Sequence, residues 1–264
     1  MLPVLVPDVP AVLAQATSHK IFNPPSDWTV YVEMFLRWVH FLAGITWIGL
    51  LYFFNFVNGS VMKVLDAPTK AKVTPQLMPR ALWWFRWGAT LTVLAGLIYY
   101  IRILESGPDP WVTLVKWLVI VLVTYAIIFG VLRPVSGALN NGWTIAAIVT
   151  VLVSVMALLI LKLNGGEGLT STGIMQAASN RALSIGIGGG LGTLMFLNVW
   201  GIIWPHQKRI IAWGYDAAEK GTAVPAENAK LVRRAFLASR MNTWLSVPML
   251  FFMAAASHFP IFGK

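Results

Sequence analysis

Residues 37–59 read RWVHFLAGITWIGLLYFFNFVNG. An α-helix needs roughly 20 mainly apolar residues to cross the hydrocarbon of a bilayer. This stretch supplies them, and so predicts a spanning helix. Two of its residues are out of keeping with lipid: His40, inside the run, and Arg37, one turn before it. Ionisable groups in such helices are costly to expose to hydrocarbon. They face a protein interior and mark candidate functional sites. His40 therefore poses the main question of the sequence: does it bind a cofactor, move a proton, or only make a hydrogen bond?

Composition extends the membrane reading to the whole chain. Of 264 residues, 57% are hydrophobic and 11% charged, with a mean hydropathy of +0.70. Soluble domains carry about 25% charged residues. The net charge of +10 does not point to nucleic acid, because the basic residues gather in particular loops between apolar runs, as membrane topology requires. There is no cysteine, which excludes disulfides, thiolate metal sites, iron–sulfur clusters and covalently attached c-type haem. A redox cofactor would have to be held non-covalently, by His or Met.

Residues 1–33 form an extramembrane lead-in. Prolines at 3, 7 and 10 and the lack of a basic start argue against a signal peptide. The rest, 34–264, reads as one all-α bundle of about six transmembrane helices: Met34–Val57, Ala81–Ile103, Trp111–Leu132, Trp143–Leu163, Leu183–Trp204 and Ala235–Phe259. The mixed segment 205–234 is expected to hold surface helix. Lys20, Arg37, Arg102, Lys116, Lys162, Arg181 and Lys264 fall on one side of this topology, leaving 13 of the 20 Lys and Arg on the other. The positive-inside rule makes the richer side the inner one and puts both termini outside, in a multi-pass protein of the bacterial inner membrane.

In that frame His40 lies in the outer third of the first helix and His258 near the outer end of the sixth. A b-type haem needs such a pair, two imidazoles from different helices. Gly44 and Trp47 share the His40 face at i+4 and i+7, where the glycine clears space for a flat macrocycle. Arg37, on the same face nearer the outside, suits a propionate. The competing reading is that Gly44 and Gly49 serve helix packing and that His40 bonds a backbone carbonyl. His19 has no partner nearby in sequence, and His206 reads as an interfacial side chain. GIGGGLG at 186–192 does not satisfy GxGxxG and reads as a packing surface. Asn55, Asn58, Asn198, Arg240 and Asn242 suit interhelical bonding. No carboxylate falls in the middle of a span, which argues against an acid-based ion pump. A weak echo links FLRWVHFLAG at 35–44 to WFRWGATLTVLAG at 84–96, both ending in Ala-Gly.

Four blocks carry a family resemblance: LRWVHFLAGITWIGLLYFFNFVN, PRALWWFRWGA, NVWGIIWPHQKRI and SRMNTWLSVPMLFFMAAASHFP, spread from residue 35 to 260. Together they resemble the membrane domain of the PuuD-type urate hydroxylases, the urate oxidase N-terminal family. The resemblance implies an inner-membrane protein associated with oxidation of urate to 5-hydroxyisourate, in a family whose full-length members carry a following cytochrome c domain. Here the sequence stops at Lys264 without a cysteine, so any electron acceptor is expected to be a separate protein. Met241 stands where the urate hydroxylases carry a His, which bears on urate activity. The expectation is thus a redox protein binding haem b through His40 and His258, with Arg37, Gly44 and Trp47 completing the site and electrons passing to a separate cytochrome c. The alternative is a non-catalytic subunit or stabiliser of a larger respiratory or oxidase complex.

Overall fold

The computed structural model describes residues 24–107, 109–134, 136–164, 169–170, 173–174 and 178–262. His19 and most of the lead-in lie outside them. The chain divides into two compact units, residues 1–35 and 36–264. Of the first, residues 24–35 are described and contain the start of helix α1.

Helix α1 spans Trp28–Tyr52 and runs through a π turn, Phe53–Asn58, into the short α2, Gly59–Val64. Then come α3 (Ala67–Leu104), α4 (Pro110–Leu132) and α5 (Gly142–Asn164). A two-residue strand pair, β1 (Leu169–Thr170) and β2 (Gly173–Ile174), precedes α6 (Asn180–Asn198). A second π turn, Val199–Ile203, joins α6 to α7 (Trp204–Lys220), and α8 covers Asn228–Ala255. Among the described residues five continuous helices are long and apolar enough to cross a membrane: Trp28–Val64, Ala67–Leu104, Pro110–Leu132, Gly142–Asn164 and Asn180–Lys220. The sixth expected span, Ala235–Phe259, is a helix only to Ala255. It is the most polar of the long helices, because it carries Arg233, Arg234, Arg240 and Asn242.

Two helices are longer than the sequence suggests. Helix α3 begins at Ala67, not near Ala81, and at 1.5 Å per residue is about 57 Å long. The run from α6 through α7 is about 62 Å. Both exceed a hydrocarbon core of about 30 Å, so each projects well beyond it. The projecting part of α3 opens on the N-cap Asp66, whose carboxylate accepts from the Thr69 amide at 3.4 Å, with Pro68 in the first turn, where its missing N–H leaves no bond unmade.

The core is assembled around α6. Alternate glycines of the 186–192 run admit different neighbours. A Cβ on Gly188 would stand 3.3 Å from the Met249 carbonyl oxygen of α8, and one on Gly190 would stand 3.2 Å from Met156 Cε of α5. The packing reading of this run therefore holds. The expected interhelical role of the asparagines holds as well. Asn198 donates to Asn242 Oδ1 (2.9 Å), Asn242 donates to the Met195 carbonyl (3.0 Å), and Asn55 donates to Ser239 Oγ (2.8 Å). Asn55 sits within one π turn and Asn198 immediately precedes the other. The wider backbone ring of a π turn re-aims the side chains around it, and here both asparagines reach α8 within one turn of each other.

Two outcomes test this architecture. Gly188→Leu should wedge α6 from α8 and destabilise the protein by about 1–3 kcal/mol, the usual cost of overpacking. It should lower the thermal midpoint in detergent, whereas Gly214→Ala, at a position with nothing within 4 Å, should not. Separately, hydrogen bonds from Thr69 hold the Asp66 carboxyl below the ordinary carboxylate range. Because the folded form has the lower pKa, the contribution of the cap is complete at neutral pH and is lost as pH falls through that lowered value. Hydrogen exchange in the first turn of α3 should be faster in Asp66→Ala than in the parent at pH 7, and the difference should close in acid.

Candidate functional site

Helix α1 meets the bundle at a close crossing with α3. A Cβ on Gly88 would lie 3.3 Å from the Ala43 carbonyl oxygen. Beside this crossing, along residues 37–49 of α1, lies a cavity of about 430 Å³, within the range of small-ligand sites. Helices α1, α3, α4, α6 and α8 all contribute to its wall, together with the turn after α8. Arg37, His40, Gly44, Trp47 and His258, the five residues singled out from the sequence, all line it.

His40 is the best-defined of them. Its Nδ1 lies 2.7 Å from the Thr92 carbonyl oxygen. A carbonyl only accepts, so Nδ1 carries the proton and donates. Thr92 can offer this carbonyl while its hydroxyl bonds the preceding turn, at the Gly88 carbonyl (2.7 Å). The imidazole lies against Gly96 so closely that a Cβ there would stand 2.8 Å from both Cε1 and Nδ1. Nε2 makes no hydrogen bond among the described residues, and its lone pair is left for a ligand. An imidazole fixed through Nδ1–H to a carbonyl, with a free Nε2, is the usual arrangement of a metal-binding histidine.

The rest of the wall is mainly apolar. Trp47 is 1% exposed, and its indole N–H is buried without a partner. It is a donor that a ligand oxygen could satisfy. Tyr100 and Trp117 pack at 5.3 Å between ring centroids, the indole of Trp117 donating to the Gly186 carbonyl (2.7 Å). On α6, Gly189 and Gly192 leave the stretch of wall between Ile185 and Thr193 bare. Among the described residues no carboxylate lines the cavity, whereas Arg37 and His258 do. A third basic residue, Arg181, bonds the hydroxyl of the lining residue Tyr99. The exposed residues Phe41 and Ile45 of α1 and Leu250 of α8 also belong to the wall, so the cavity opens to the side between these helices.

Of the other histidines and Met241, only His258 reaches the cavity. His258 occupies the exposed turn that follows α8, its amide bonded to the Ala255 carbonyl (3.1 Å). His206 Nδ1 bonds the Ile202 carbonyl of the preceding turn and is not part of the cavity. Met241 is buried beside Asn198, with its sulfur 4.0 Å from Asn198 Nδ2, and does not line the cavity either. Sequence reasoning missed Thr92 and Gly96. The echo between residues 35–44 and 84–96 held the available signal, since its two Ala-Gly pairs end in Gly44 and Gly96, and both glycines line this cavity.

With this geometry in hand, the comparisons with known proteins are informative. The family model described as urate oxidase N-terminal matches residues 65–264. The chain belongs to that family, a class of multi-pass helical membrane domains. The match begins just past α2, so α1 and His40 lie outside it while Thr92, Gly96 and His258 lie within. No curated protein and no solved structure matches the chain.

Gly96→Ala should force the His40 ring off the Thr92 carbonyl. Diethyl pyrocarbonate labelling, read by mass spectrometry, should then modify His40 several-fold faster than in the parent. Unchanged labelling would contradict the role given to Gly96.

Proposed function

We propose that the chain is a redox-active membrane domain of the urate hydroxylase type and that its lateral cavity binds haem b. In this reading His40 and His258 would hold the haem iron, Arg37 would pair with a propionate, Gly44 would make room for the macrocycle and Trp47 would wall the site. The chain crosses a bacterial inner membrane six times, α8 being the last span, with both termini outside. Electrons pass to a separate cytochrome c or respiratory subunit on the outer side.

The observation that carries this proposal is the restraint of His40. One nitrogen is tied to a main-chain carbonyl, the ring is seated on a glycine, and the other nitrogen makes no hydrogen bond among the described residues, beside a mainly apolar cavity that Arg37 also lines. The donor set suits haem. Neutral imidazole is its commonest protein ligand, the aromatic and glycine-lined walls match a planar ring, and basic side chains without carboxylates match its acidic edge. Bound haem would supply one-electron transfer. The protein's part is to hold the imidazole in a single tautomer, keep water from the apolar walls and neutralise the propionates. Urate is the substrate suggested by the family. Met241, the departure from the urate hydroxylase pattern, lies away from the cavity and leaves its lining intact.

Protein purified in mild detergent should show a Soret band that is absent in His40→Ala and weakened or shifted in His258→Ala. Colourless protein, after expression with added haem precursor, would remove the haem proposal. Colourless protein that co-purifies with respiratory subunits would favour the non-catalytic alternative.

A further inference from the structure

The opposite end of the bundle holds a second site, built on Arg86. Its guanidinium carbon lies 3.7 Å from the centroid of the Trp204 ring and 6.0 Å from that of Trp200. Nε and Nη1 are both buried and neither has a hydrogen-bond partner among the described residues. The indole of Trp200 is itself committed to Thr90 Oγ1 (3.0 Å), which fixes the aromatic side of the arrangement. Stacking on tryptophan attracts a cation but satisfies none of its N–H groups. Two buried guanidinium donors without an acceptor are costly, and no carboxylate supplies one.

Depth identifies what can supply it. Arg86 is about 27 Å along α3 from Leu104, and Trp204 about 36 Å along α6 and the π turn from Asn180. Both distances place the pair near the second face of a hydrocarbon core of about 30 Å. Trp83, Trp84 and Trp87 are 46%, 60% and 41% exposed around it, as in an interfacial aromatic belt. At that depth the abundant acceptors are the phosphate and ester oxygens of lipid. Trp204 also lines a groove of about 360 Å³ between the projecting part of α3 (Pro75, Pro79) and α7. Lys208, one turn further from the core, lines the same groove. Asp216 at its far end is paired with Lys220 (2.7 Å) and so does not offset Lys208.

We infer that Arg86, Trp204 and Lys208 form a binding site for the phosphodiester headgroup of an anionic phospholipid in the basic-side leaflet. The guanidinium donates to the phosphate, Lys208 meets the headgroup, and the apolar groove takes neighbouring lipid surface. Two cations against one phosphate favour a lipid with net negative charge over a zwitterionic one. This inference does not depend on haem.

Native mass spectrometry of the full chain in detergent, titrated with phosphatidylglycerol, phosphatidylcholine or inorganic phosphate, tests it. Phosphatidylglycerol should bind the parent protein, about tenfold more weakly in Arg86→Gln and more weakly in Lys208→Gln. Phosphatidylcholine should not displace it, and inorganic phosphate should neither bind nor compete. Equal retention by Arg86→Gln and the parent, equal binding of the two lipids, or competition by free phosphate would each overturn the assignment. Should Arg86→Gln fail to fold, the thermal midpoint of the parent decides: a rise with phosphatidylglycerol alone supports the site, and no rise, or the same rise with either other addition, refutes it.

Discussion

Hydrocarbon offers no hydrogen bonds, so every polar group in a spanning segment must find its partner inside the protein. The interior of this chain is arranged by that constraint. Thr92 and Thr124 return their hydroxyls to the carbonyl four residues back. Tyr125 reaches the Leu197 carbonyl, and Asn55, Asn198 and Asn242 tie both π turns to one stretch of α8. Some buried polar atoms among the described residues stay open, Ser184 Oγ and Asn198 Oδ1 among them, and three other groups bear on a site. His40 Nε2 and the Trp47 indole N–H belong to one cavity, and the Arg86 guanidinium lies at the other membrane face.

Small residues make both features possible. With little hydrophobic force between helices in lipid, close approach depends on positions without side chains. Gly188 and Gly190 let α6 touch α8 and α5, and Gly88 lets α1 cross α3. Gly96 does something different: it admits an imidazole where another helix would otherwise press. The cavity lies beside the crossing of α1 and α3 at Gly88, where α6 presents Gly189 and Gly192 to the gap. Apolar packing and the candidate site are thus two uses of the same lack of side chains.

Much of this was legible in the sequence because the signals are local. Runs of apolar residues gave the helices, and the incongruity of His40 and Arg37 gave one wall of the cavity. Helix periodicity put Gly44 and Trp47 on that face, and topology put His258 on the same side. Local signals failed where an element leaves the membrane. Nothing in the prolines at 68, 75 and 79 distinguishes a loop from the first turns of a long helix. The reach of α3 and α7 beyond the bilayer therefore appeared only when the two were seen packed together. The polar α8 shows the same limit, since its asparagines and arginines find partners supplied by other helices.

The sequence by itself determined the class: an all-helical, cysteine-free chain too apolar for water, with ionisable groups so sparse in its spans that His40 stood out. Those are properties of composition and period. Only the tertiary structure decided what His40 does with its two nitrogens, because the Thr92 carbonyl and the bare face of Gly96 come from another helix, some fifty residues away. The tertiary structure likewise decided that Arg86 is stacked and unpartnered, since Trp204 reaches it only when α6 and α7 form one continuous rod beside α3. Chemistry at a site depends on which groups are brought together across helices, and neither period nor composition encodes that juxtaposition.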